Sequence, residues 1–247
     1  MATIVLVHGS WHNGMAWRKL QAVLGSKNVV SYAPTLTGFD SLATPAGPDI
    51  GLHTHIRDII GLIQSRSLDD VILVGHSYAG LVIAGVAEEI PDKVAALVFL
   101  DAFIPDDKQS LFDILGDEAT AGMRASLVDA AGRGVADGVE AVWLLPPGQP
   151  QDYGVTDPQD VEWVRAQMVY TPVLTFEERV SIANPAARMT PRYFIRCTDF
   201  PFLAPQEQKA IAAQWKTYRL ATGHDAMVTV PEEVAAILLE IAVEQGG

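Results

Sequence analysis

The stretch Val71-Ile72-Leu73-Val74-Gly75-His76-Ser77-Tyr78-Ala79-Gly80 runs an apolar segment directly into a serine, and Leu81 to Ala87 continues as a helix-compatible apolar stretch. The pattern reads as strand, sharp turn and helix. Such a junction drives the serine into a sparsely populated backbone region and lifts its Oγ above the sheet edge. It also sets the following N–H groups at a helix N-terminus, where negative charge is stabilised. Ser77 is therefore a candidate nucleophile. The usual spacing is G-x-S-x-G, whereas here Ala79 holds the fifth position and Gly80 follows one step later. The bland alternative for Ser77 is a helix N-cap, a role that serine fills routinely.

Two further segments extend the reading. Near the N-terminus Ile4 to Val7 leads into His8-Gly9-Ser10-Trp11-His12-Asn13-Gly14, a strand followed by a small-residue loop able to present a backbone N–H. With the Tyr78 amide, the Ser10 amide would complete a pair of donors for an oxyanion. Near the C-terminus the alternating run from Trp215 to Leu220 enters Ala221-Thr222-Gly223-His224-Asp225, which puts a glycine-flanked histidine just after a strand. His224 suits a general base. Oxyanion loop, serine and histidine, with carboxylates between, is the chain order of the α/β-hydrolase fold.

Strand candidates are Thr3 to Val7, Val29 to Tyr32, Val71 to Val74, Val94 to Leu100, Arg192 to Cys197 and Lys216 to Leu220. Helical stretches separate most of them. Ile56, Ile59, Ile60 and Ile63 fall at helical spacing, and a last helix opens with Pro231-Glu232-Glu233. The alternation predicts an α/β fold with a mostly parallel central sheet flanked by helices. Compared with a full hydrolase sheet, the chain would begin at the third strand. Residues 102–190 break the alternation with scattered prolines and carry most of the net negative charge. They read as a helical cap inserted into a core made of residues 1–101 and 191–247. Pockets are lined mainly by apolar and aromatic groups, so Trp143, Met168 and Tyr170 of the cap join Gly9, Trp11 and His12 of the first loop as candidate substrate contacts.

At 247 residues the chain fits one large domain or a core with an insertion, and its longest apolar runs fall short of a membrane span. No export signal is visible ahead of Thr3, and the single cysteine, Cys197, excludes an intrachain disulfide. A cytoplasmic protein is expected. A net charge of −13 argues against nucleic acid or an anionic bilayer as partner and favours a small neutral substrate. A homodimer is left open. The chain shows neither a metal-ligand cluster nor a phosphate-cradling glycine loop, so no metal or organic cofactor is expected.

The chain resembles the small α/β-hydrolases of the salicylate-methyl-esterase and hydroxynitrile-lyase group, particularly their bacterial members. The resemblance spans nearly the whole chain. It rests on Leu6 to His12, Tyr32 to Gly38, Val74 to Tyr78, Leu100 to Pro105 and Gly223 to Met227. It implies a serine hydrolase acting on a carboxylic ester of a small, largely apolar molecule. Lyases of the group place threonine directly after the first histidine and lysine directly after the catalytic one. Here Gly9 and Asp225 stand there, and a carboxylate would repel a departing cyanide. The esterase branch therefore fits better. A C–C hydrolase, lactonase or lyase on the same scaffold, or a small-ligand receptor with weak turnover, are the alternatives that the group leaves open.

Among the other histidines, His53 and His55 read as surface or capping residues, His8 as a hydrogen-bonded structural one, and His76 as pointing away from the serine. Cys197 reads as a buried, inert thiol. Two aspartates compete to orient His224. Asp199 follows the strand Arg192 to Cys197, where most hydrolases of this fold keep their acid, although relatives carry it one residue later. Asp101 directly ends the neighbouring strand and is preferred because it needs no shift of alignment.

Overall fold

The strand that carries the serine segment is the centre of the sheet. A computed structural model describes residues 3–41 and 45–246. In it, β1 (Thr3–Val7), β2 (Ser31–Tyr32), β3 (Val71–His76) and β4 (Val94–Leu100) precede a short antiparallel pair, β5 (Leu144–Leu145) and β6 (Thr171–Pro172). The last two strands are β7 (Arg192–Cys197) and β8 (Lys216–Leu220). Six of these strands form one parallel sheet in the order β2-β1-β3-β4-β7-β8.

Alternate side chains of each strand feed two separate cores. On one face Val5, Leu73, Leu97 and Phe194 pack under α2 (Leu52–Ser65) and α3 (Ala79–Glu89). On the other, Ile4, Ile72, Val98 and Ile195 pack under α1 (Arg18–Ser26) and the terminal helix Pro231–Glu244. Both faces being covered, β3 is buried along its whole length and reads as a continuous apolar run. The expected strand at Val29 to Tyr32 is shortened to two residues. The Val29 amide closes the turn after α1 by donating to the Leu24 carbonyl, so it is spent before the strand begins.

Between β4 and β7 lie α4 (Leu111–Leu115), α5 (Asp117–Ala125), α6 (Pro158–Arg165), α7 (Leu174–Glu177) and α8 (Pro185–Arg188). Their apolar residues join the two cores: Phe112 and Phe176 pack with the α2–α3 side, and Val161 and Val164 with the other. Three helices close the chain: α9 (Ala204–Ala212), α10 (Ala226–Thr229) and α11 (Pro231–Glu244). Among the described residues no helix is long and apolar enough to cross a membrane.

Candidate active site

Ser77 sits between the end of β3 and the start of α3 at φ 56°, in the left-handed region that costs a non-glycine residue on the order of 1–3 kcal/mol. Its backbone is tied on three sides. The Ser77 amide donates to the Leu100 carbonyl, and the Ser77 carbonyl accepts from the amides of Gly80 and Phe103. Close approach explains the glycines: a Cβ on Gly80 would lie 2.0 Å from the Phe103 carbonyl oxygen, and one on Gly9 would lie 2.8 Å from the Ser77 Cβ. The glycine this elbow needs is therefore Gly80. Ala79 occupies the customary position because its own side chain is accommodated in the core.

His224 follows β8 and is buried; its Nδ1 lies 2.7 Å from Asp101 Oδ2. Since the carboxylate accepts, Nδ1 carries the proton and Nε2 is left to take one. Asp101 ends β4 at φ 40°. Its second oxygen accepts from Arg196 Nη1 at 2.8 Å and from the Cys197 amide at 3.1 Å. Asp199 is exposed; its amide donates to the Thr222 carbonyl, and among the described residues its carboxylate accepts only from the Thr198 hydroxyl. The structure thus brings Asp101 to His224 and leaves Asp199 outside, because the turn after Cys197 points that side chain to solvent.

On the first loop Trp11 is at φ 63°. Its amide donates to Thr171 Oγ1 at 2.8 Å, and its carbonyl accepts from the Val169 amide. Neither the Ser10 nor the Tyr78 amide donates to a protein acceptor among the described residues. Both residues line a cleft together with Ser77, His224, Trp11 and Phe103. The remaining wall is leucine, methionine, phenylalanine and tyrosine, with no charged side chain.

Of the candidate substrate contacts, Trp11 lines this cleft. The others do not. Gly9 is wedged behind the serine, against the Ser77 Cβ. Met168 is buried in the core, half-buried Trp143 donates its indole N–H to the Ala46 carbonyl, and Tyr170 packs its hydroxyl against Gly132. His12 is buried with both ring nitrogens engaged, Nδ1 at 2.9 Å from the Ser10 carbonyl and Nε2 at 3.0 Å from Asp225 Oδ2. Asp225 is likewise buried and turned toward His12. Its carboxylate therefore does not line the cleft in which a leaving group would depart. What remains of the contrast with the lyases is a cleft wall without lysine or arginine.

His55 differs from its surface or capping reading: it is buried, with Nε2 facing the Thr37 carbonyl and Nδ1 at 3.0 Å from the Tyr78 hydroxyl. The signal was present, since position 55 lies on the stripe of Leu52, Ile56, Ile59 and Ile63. His8 bonds to Gly9 and Leu36, while His76 Nε2 faces the His224 carbonyl at 3.1 Å. Burial pushes His8 down to about 3 and His55 to about 4, and holds His76 well below the usual imidazole range. Burial pushes the Cys197 thiol up, which keeps it out of its nucleophilic form. Arg196 was not foreseen. Its only sequence signal is a charge inside the apolar run Tyr193-Phe194-Ile195-Arg196-Cys197 that follows Arg192 in β7.

The model of the alpha/beta hydrolase family matches residues 4–237, and the chain belongs to that family. A carbendazim hydrolyzing esterase of Nocardioides sp. (strain SG-4G) is 34% identical, over 95% of this chain and 97% of its own. Salicylic acid-binding protein 2 of Nicotiana tabacum is 26% identical over 96% of each chain. Among solved structures, an extracellular alpha/beta-hydrolase from a Paenibacillus species superposes with a TM-score of 0.81 at 22% identity, covering 97% of this chain and 98% of the other.

Proposed function

We propose that the chain is a serine hydrolase that cleaves carboxylic esters of small, largely apolar molecules through an acyl-enzyme on Ser77. The observation that carries this reading is the 2.7 Å bond from His224 Nδ1 to Asp101, with His224 and Ser77 lining one uncharged cleft. In the first half, Ser77 Oγ attacks the ester carbonyl while His224 Nε2 takes the hydroxyl proton. The carbonyl oxygen becomes an oxyanion held by the Ser10 and Tyr78 amides, a contribution of roughly 3 kcal/mol per donor. His224 then returns the proton to the departing alcohol as its C–O bond breaks. In the second half a water gives its proton to His224 and its oxygen to the acyl carbon; the proton returns to Ser77 as the acid leaves.

No step calls for a metal or an organic cofactor. The uncharged wall suits a neutral substrate with an aromatic or aliphatic body, since an unpaired charge would be costly to bury there. The carbendazim hydrolyzing esterase suggests carbendazim as a first compound to try, and the resemblance to salicylate methyl esterases suggests methyl esters. A reducing, cytoplasmic location belongs to the same reading, on the strength of a lone cysteine that is buried.

The test is Ser77→Ala against p-nitrophenyl butyrate. Hydrolysis should be abolished with the fold intact, since the hydroxyl acts only in covalent chemistry. An organophosphonate should label wild-type protein at Ser77. Residual activity within about tenfold of wild type, or label elsewhere, would sink the assignment.

A further inference from the structure

His12 and Asp225 form a second histidine–aspartate pair beside the first. Both are buried, at 4% and 0% exposure. His12 Nε2 lies 3.0 Å from Asp225 Oδ2, and His12 Nδ1 lies 2.9 Å from the Ser10 carbonyl. A carbonyl and a carboxylate can only accept, so a ring that bonds to both must carry both protons. His8, His55 and His76 differ: each turns one nitrogen to an acceptor, while the other meets a donor or has no partner. The pair also bridges two loops. His12 belongs to the loop that offers the Ser10 amide, and Asp225 directly follows His224. The Ser10–Trp11 peptide is pinned from both sides, its oxygen by His12 and its N–H by Thr171 Oγ1 at 2.8 Å. That fixes the backbone from which the Ser10 amide points.

We propose that His12 is a positioning residue, an imidazolium whose bonds to Asp225 and the Ser10 carbonyl hold the oxyanion loop in register with the His224 loop. The inference rests on the esterase reading above. Burial opposes the charge on His12, and the Asp225 carboxylate outweighs it, holding the imidazole above its ordinary value. The other titratable groups around the ring are His76 from β3 and Tyr153 from the segment before α6, their ring centroids 6.0 and 5.7 Å away, and His8 at the end of β1. His8 and His76 are held neutral, so Asp225 is the counter-charge.

The test combines imidazole ¹⁵N–¹H spectra of the wild type with kinetics on p-nitrophenyl butyrate. His12 should show two ring protons at pH 7, and kcat should fall on the alkaline side as the second is lost. His12→Phe and Asp225→Ala, assayed well below their melting temperatures, should lose kcat about tenfold or more with KM within about threefold, because the Ser10 amide acts on charge that develops in the transition state. Asp225→Asn should recover most of that loss, as an amide can donate to a neutral ring. A single ring proton at pH 7, a kcat flat through the His12 titration, or kcat within about twofold of wild type in the folded Phe and Ala variants would each overturn the proposal. The esterase reading fails separately: an unlabelled Ser77 alongside a doubly protonated His12 would reject it and leave the ion pair standing.

Discussion

An imidazole can accept a proton at Nε2 only while Nδ1 holds one, and Asp101 selects that tautomer at His224. The carboxylate is itself held by Arg196 and the Cys197 amide, so it cannot swing away to solvent. Replacing it by an amide keeps the shape but permits the wrong tautomer. Asp101→Asn should therefore lower turnover by about 10⁴ in a folded protein. Asp199→Asn, at an exposed site, should stay within a few-fold of wild type. Both are read on the same ester with circular dichroism as the folding check; the reverse ranking would move the acid to Asp199.

At the scale of the element, the β3–α3 turn admits little variation because its backbone is crowded. Gly80→Ala drives a methyl into the Phe103 carbonyl oxygen, 2.0 Å from where the Cβ must sit, and backbone cannot yield as a flexible side chain does. Strong destabilisation is expected, on the order of several kcal/mol, since the same carbonyl belongs to the chain that leaves Asp101. Ala79→Gly restores the customary spacing yet should cost about 0.5–1 kcal/mol, because glycine loses more freedom in a helix. Thermal melts of the two variants decide this. A Gly80→Ala protein as stable as Ala79→Gly would show that the turn can relax.

For the whole molecule, three buried neutral histidines set the acid limit of stability. His8 and His55 are lowered to about 3 and about 4, and His76 is lowered too, while the unfolded chain titrates near the ordinary histidine value. Between these values the unfolded state binds protons that the folded state refuses, so stability falls as the pH falls. Each group contributes roughly 1.4 kcal/mol per pH unit within its window. His12 has the opposite sign: its value is raised, so its contribution is full in acid and fades as the pH rises through its folded value. The melting temperature should drop steeply from pH 6.5 to pH 4.5. A flat profile over that range would mean that these histidines are protonated in the folded state.

Local patterns carried the fold and the candidate nucleophile. Apolar strands of five to seven residues led to the parallel sheet, and the glycines near Ser77 and before His224 marked the turns after β3 and β8, because strand burial and turn chemistry are written in neighbouring residues. The choice between Asp101 and Asp199 was not local. Both follow strands of similar character, and only the adjacency of β4 and β7 sets one carboxylate between His224 and Arg196. The pocket wall was equally out of reach: Trp143, Met168 and Tyr170 looked like Phe103 or Phe176 in composition, and which aromatic faces the cleft depends on how the segment after β4 packs back on the sheet. The second pair, His12 and Asp225, joins residues 213 apart in sequence, a distance across which charge complementarity leaves no pattern until the chain has folded.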